Sequence, residues 1–181
     1  MIEFRYLASS GAFLLFFCAA APAAALAPVP LGSDRDACVR GEGPAFLVRV
    51  AGLKDRAGRM KVELYPATDA DFLRRDDDLV KEGKTFRRVW ADVPAQGPVA
   101  MCIRAPGPGS YALVFTHQRK GIKKFDIWVD GVGVPGSSRI GRSKPRMEEA
   151  RVAAAGRGVT PTDITVQYLR GLGGFAAVRE N

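Results

Sequence analysis

The chain carries one histidine, His117, at the end of the apolar stretch Tyr111–Thr116 (YALVFT). As a general base it would need a partner within hydrogen-bond reach, and no carboxylate or nucleophile stands at a spacing that names one. Ser110, Ser137, Ser138 and Ser143 lie in loop-like segments without the strand–turn–helix context that activates a serine. His117 therefore reads as a satisfied structural histidine at a strand end, and no catalytic residue is assigned. Gly131–Gly136 (GVGVPG) lacks the spacing and the lysine of a phosphate loop and reads as turn chemistry. The acidic run Asp76–Asp78 is flanked by Arg74, Arg75 and Lys81, which makes it a self-paired surface. With no Cys-x-x-Cys or Cys/His cluster, a zinc site is not expected, and no cofactor or other metal is assigned.

The stronger chemical signal is cationic. Arg119, Lys120, Lys123 and Lys124 form one basic segment, and Arg139, Arg142, Lys144 and Arg146 form another. If both reach the same end of the fold they make an anion-binding rim, with arginine forks suited to phosphate or carboxylate. Phe125 and Trp128 lie between them and would add a flat apolar contact, unless Trp128 belongs to the core. The whole chain has 27 Lys and Arg against 19 Asp and Glu, a net charge of +8. That balance favours an anionic partner.

The first 25 residues read as a signal peptide. Arg5 supplies the positive start, Leu7–Ala21 the apolar run, and Ala23–Ala25 an A-x-A site with cleavage before Leu26. The run is short for a membrane span of roughly 20 residues, so retention as an anchor is the lesser alternative. Phe17 before Cys18 argues against lipidation, which wants a small residue there. The mature chain would keep no transmembrane span and would be periplasmic or secreted. In that compartment nucleic acid is a disfavoured partner, and an anionic envelope component or an envelope protein is favoured. The two remaining cysteines, Cys38 and Cys102, then suggest a disulfide closing a loop of about 65 residues, worth roughly 4 kcal/mol by chain entropy. Two buried free thiols are the alternative.

Elements must position these groups. Residues 26–44 are rich in Pro, Gly and Ala and read as a flexible arm, and 171–181 as a fraying tail. Between them, 45–170 shows period-two alternation. Phe46, Val48 and Val50 share one strand face, and Met60, Val62 and Leu64 share another. The turn Lys54–Gly58 (KDRAG) between them predicts a hairpin. Residues 69–82 read as a connection with one helical turn. Further strands are expected at Phe86–Val93, Val99–Arg104 and Tyr111–Thr116, the last after the turn Pro106–Ser110, and at Ile164–Tyr168. Together they predict an all-β, antiparallel sandwich of about seven strands.

Several ordered elements carry a resemblance. They are Phe46–Pro66 (FLVRVAGLKDRAGRMKVELYP), Gly109–His117 (GSYALVFTH), a loop Gly121–Asp126, a Gly-x-Pro element at Gly133–Pro135, the basic Ser143–Arg146, and Tyr168. Over about residues 38–170 the chain resembles the uncharacterised exported bacterial family catalogued as domain-of-unknown-function family 2141. The resemblance implies an immunoglobulin-like or transthyretin-like sandwich and no established activity. In that family the loop after the histidine looks like a calcium loop, Asp-x-Asn-x-Asn-Gly-x-x-Asp. Here Gln118, Lys120 and Ile122 occupy ligand positions and only Asp126 keeps its type, with Asp130 nearby. Four loop cations oppose a divalent ion, so no calcium is expected. Transthyretin-like hydrolases use more than one histidine, which this chain cannot match.

The reading is a non-catalytic exported β-sandwich, an envelope binding or accessory module for an anionic component. Its alternative is a structural envelope protein without a small ligand, and a hydrolase using His117 ranks last.

Overall fold

The computed structural model describes residues 28–121 and 124–178. The expected signal peptide, Lys123 and the last three residues lie outside them. The described residues form the expected all-β sandwich, as two packed sheets.

The smaller sheet has β1 (Ala45–Ala51) at its centre, β4 (Val99–Arg104) antiparallel on one side and β8 (Val159–Thr165) parallel on the other. The larger sheet is antiparallel throughout. Its order is β10 (Phe175–Ala177), β9 (Gln167–Leu169), β6 (Gly131–Gly133), β5 (Gly109–Gln118), β2 (Arg59–Pro66) and β3 (Arg87–Asp92). Both edges of β5 are used. β2 runs along its length, while β7 (Arg151–Ala154) takes the first residues of the other edge and β6 the last.

The alternating residues found in the sequence face one another between the sheets. Phe46 and Val48 from β1, Met60, Val62 and Leu64 from β2, and Leu113 and Phe115 from β5 are buried there together. Each large side chain contributes about 2 kcal/mol by leaving water. Phe115 and its neighbours form a continuous apolar run because the larger sheet is buried on its outer face as well. There Tyr65, Ala112 and Val114 pack under Leu79 of α2 (Asp76–Lys81) and under Met147 and Ala150 of α3 (Met147–Ala150). The helical turn expected within 69–82 is α2.

The predicted hairpin does not form. β1 pairs in the smaller sheet and β2 in the larger, so residues 52–58 cross between sheets. Alternation fixes which face a strand buries but not which strand lies beside it, and two strands facing each other across a core show the same pattern as two paired strands. Gly58 ends this crossing at φ 76°, with its Cα against the carbonyl of Gln118, where any side chain would collide. The expected closing strand at 164–168 likewise straddles a crossing. Ile164 ends in the smaller sheet with β8, and Tyr168 belongs to β9 of the larger.

Both terminal segments carry more structure than their composition suggested. Within 28–44, Leu31 pairs alongside Met101 through bonds from its N–H to the Ala100 carbonyl (2.9 Å) and from the Cys102 N–H to its own carbonyl (3.1 Å). Residues Arg35–Arg40 form α1. Cys38 of α1 is joined to Cys102 of β4 by a disulfide with Cα atoms 5.9 Å apart, and Ala37 and Ala45 pack around it. At the other end a short 3₁₀ turn, Gly171–Gly173, leads into β10, which pairs with β9. Among the described residues no helix is long and apolar enough to cross a membrane.

Candidate functional site

Two features of the larger sheet bring chemistry together. The first is a groove of about 280 Å³ on its outer face, between the α2 excursion and the loops that carry Phe125 and Pro145. Its floor is ionic. Glu63 on β2 lies opposite Arg88 on β3 and is only 4 % exposed. The Glu63 carboxylate accepts from Arg88 Nε at 2.7 Å and sits 2.9 Å from Lys61 Nζ, two residues along the same face. Arg88 also donates to Asp76 at the start of α2, at 2.7 Å. A carboxylate this buried is tolerated only when cations satisfy it, and here one guanidinium spans two acids. Burial, reinforced by the Glu63 charge, pushes the neighbouring Tyr65 hydroxyl above its ordinary range. At the groove wall Arg74 binds Glu82 and Asp71, and Lys84 binds the same two acids. Those contacts, Arg74 first, hold the Glu82 carboxyl down at about 2. Sequence reasoning missed this set. Alternation sets Lys61 and Glu63 on the face opposite Met60, Val62 and Leu64, and only the β2–β3 register shows that Glu63 and Arg88 meet.

The second feature surrounds His117, which is fully buried. Its Nε2 lies 2.7 Å from the Ala57 carbonyl, which can only accept, so Nε2 carries the proton. Nδ1 then accepts from the Tyr168 hydroxyl at 2.6 Å, and that oxygen accepts the Lys54 N–H at 3.0 Å. Gly131 stands between β5 and β9, directly opposite His117. A side chain there would strike the Tyr168 ring, so its glycine opens the lane by which Tyr168 reaches His117. Desolvation lowers the His117 pKa below 6.5. Both ring nitrogens of His117 are engaged in these bonds.

The predicted cations divide by how they are used. Arg119 is bound to Asp55, with Nε at 2.7 Å, and clamps the KDRAG crossing over His117. Arg146 pairs with Glu149, whose carboxylate also accepts the Arg146 N–H at the start of α3. Lys120 lies 3.3 Å from Asp126, and Arg142 donates to the Leu172 carbonyl at 2.6 Å. Lys124, Arg139 and Lys144 are exposed. Lys124 borders a shallow depression with Phe125, Asp126 and Ile127.

Contacts bring parts of the two basic segments beside one another. Phe125 of the first packs on Phe175 with ring centroids 6.3 Å apart, and Phe175 is bridged to Gly141 of the second. Phe125 and Pro145 also border the same groove. Gln167 pins the second loop, accepting the Ile140 N–H at 2.6 Å and donating to the Ser137 carbonyl at 2.8 Å. Trp128 is not a core residue, since 80 % of it is exposed.

The loop after His117 satisfies its carboxylates internally. Asp130 accepts the Arg119 and Asp126 N–H groups, each at 2.9 Å, and Asp126 accepts the Trp128 N–H at 3.0 Å with Lys120 beside it. Among the described residues no three His, Cys, Asp or Glu side chains gather as metal ligands would.

Residues 48–162 match the pattern of a family described as uncharacterised protein conserved in bacteria, DUF2141. The chain belongs to this family. The match spans well over half the chain and contains both basic segments, the ionic groove and Cys102, while Cys38 and Tyr168 lie beyond it. No curated protein and no solved structure matches the chain. DUF2141 membership therefore assigns no activity, and any function rests on this chain's own residues.

Proposed function

We propose that this DUF2141 protein is an exported, non-catalytic binding module of the periplasm or the extracellular space. It recognises an anionic envelope component at the end of the sandwich where its two basic segments meet. The observation that carries this reading is the junction of Phe125, Phe175 and Gly141, which sets the loop of Lys120 and Lys124 beside the loop of Arg139, Arg142 and Lys144. Arg119, Arg146 and Lys120 are paired with Asp55, Glu149 and Asp126, so the available charge falls to Lys124, Arg139, Arg142 and Lys144. Loops that cluster at one end of a sandwich are its usual recognition surface.

The test is binding of the chain from Leu26 onward to soluble anionic glycans and polyphosphates at low and at moderate salt. The expected result is binding that weakens with salt and weakens again in the double variant Lys124→Ala/Arg142→Ala, with unchanged circular dichroism. Absence of binding at low salt would refute it.

A second reading, a structural envelope protein without a small ligand, draws support from the Cys38–Cys102 bond and from the many cations that serve internal pairs. It expects no anion binding and retention by another envelope protein.

A further inference from the structure

We infer that the turn Phe125–Val129 docks this end of the protein onto an anionic lipid surface. Ile127 and Trp128 enter the interface, and Lys124 and Arg142 face the lipid phosphates. This rests on the anion-binding reading above and names its partner.

Three observations carry the inference. The first is where apolar surface is left in water. Among the described residues the large exposed apolar side chains are Val29, Val39 and Val80, which are scattered, and Phe125, Ile127, Trp128 and Leu172. The last four lie on segments joined to one another. Phe125 packs on Phe175, Phe175 is bridged to Gly141, and the next residue, Arg142, binds the Leu172 carbonyl. Trp128 is 80 % exposed and Leu172 87 %. A cluster of this kind marks an interaction surface, whereas single exposed valines need no explanation.

The second observation is that the tip is built rather than loose. The Asp126 carboxylate accepts the Trp128 N–H, and its carbonyl accepts the N–H groups of Val129 and Asp130 at 3.0 and 2.8 Å. Asp130 in turn accepts the Asp126 N–H. The Trp128 contact is the main reason the Asp126 carboxyl sits below its ordinary range. A turn closed on itself in this way presents Ile127 and Trp128 already ordered, so insertion costs little further conformational entropy. The one acidic group at the tip is meanwhile occupied by backbone N–H and by Lys120.

The third is the pairing of residue types. Tryptophan favours the headgroup level of a bilayer, where its ring is buried and its N–H stays wet. Lysines beside it add attraction to anionic lipid and keep their ammonium groups at the phosphates. A protein partner would favour a different surface, because lysine is depleted at protein interfaces and a stable one needs roughly 800 Å² per partner.

The experiment is co-sedimentation of the chain from Leu26 onward, free of its apolar leader, with vesicles of phosphatidylcholine alone and of phosphatidylcholine with phosphatidylglycerol. Dextran sulfate serves as the soluble anion in parallel. The expected result is binding to the anionic vesicles only, about tenfold weaker in Trp128→Ala and about fivefold weaker in Lys124→Gln. Dextran sulfate binding should be unchanged in Trp128→Ala. Both positions are exposed, so neither variant threatens folding. Vesicle binding that ignores Trp128→Ala overturns the inference. Dextran sulfate binding without vesicle binding also overturns it but leaves the anion-binding module standing, and loss of both refutes the two together.

Discussion

The Nδ1 of His117 and the hydroxyl of Tyr168 lie 2.6 Å apart, although β6 separates their strands. The contact exists because Gly131 leaves room for the tyrosine ring, and it completes a chain of bonds from Lys54 through Tyr168 and His117 to Ala57. Both ends of that chain lie in the crossing between the sheets, so the pair secures the crossing to the larger sheet.

Tyr168→Phe removes the hydroxyl that serves both His117 and the Lys54 N–H while keeping the ring. It leaves buried polar atoms without partners and should cost about 1–3 kcal/mol. Urea denaturation would measure this, and a change within error of zero would contradict the bonding described.

His117 makes stability depend on pH in a defined direction. The unfolded chain takes up a proton near the ordinary pKa of 6.5, whereas burial keeps the folded ring neutral to lower pH. The unfolded state therefore binds more protons, and stability is complete above 6.5 and declines as pH falls toward the folded value. The slope reaches at most about 1.4 kcal/mol per pH unit. Denaturation midpoints at about pH 7.5 and about pH 5.5 should differ, and His117→Gln should flatten the difference.

The ionic floor of the groove should respond to loss of its acid. Glu63→Ala strands Lys61 and Arg88 beneath α2. Because Arg88 keeps Asp76 and some solvent, the cost falls below that of a fully enclosed pair, at about 2–3 kcal/mol. Glu63→Gln keeps the shape and should cost less. Thermal unfolding of both variants against the parent chain would rank them, and equal costs would mean that shape rather than charge holds the floor.

Reduction of the Cys38–Cys102 bond releases a loop of 64 residues in the unfolded chain. The paired variant Cys38→Ala/Cys102→Ala should lose about 4 kcal/mol. Urea denaturation with and without reductant checks this. The parent should shift on reduction and the variant should not.

The sequence carried the strand faces well and their partners poorly. Phe46, Val48, Met60, Val62 and Leu64 were recognisable as core because period-two alternation is a local signal. That β1 and β2 belong to different sheets was not, because pairing depends on strands far away in the chain, such as the parallel contact of β1 with β8. The basic segments stood out by composition. What composition could not say is which cations are spent, and Arg119 was spent on Asp55, 64 positions away. Glu63 was hidden for the same reason, since the groove it shares with Asp76, Phe125 and Pro145 is assembled from distant segments that no local pattern announces.

The pairing of Leu31 along β4 has a further consequence. β4 is an outer strand of the smaller sheet, and an open strand edge is a template on which other chains can add. Leu31 occupies two of its backbone groups, at Ala100 and Cys102, and α1 is bolted beside it through Cys38. The disulfide thus acts as a latch on a cover. With the latch opened, the β4 edge would lose the segment that holds its cover in place.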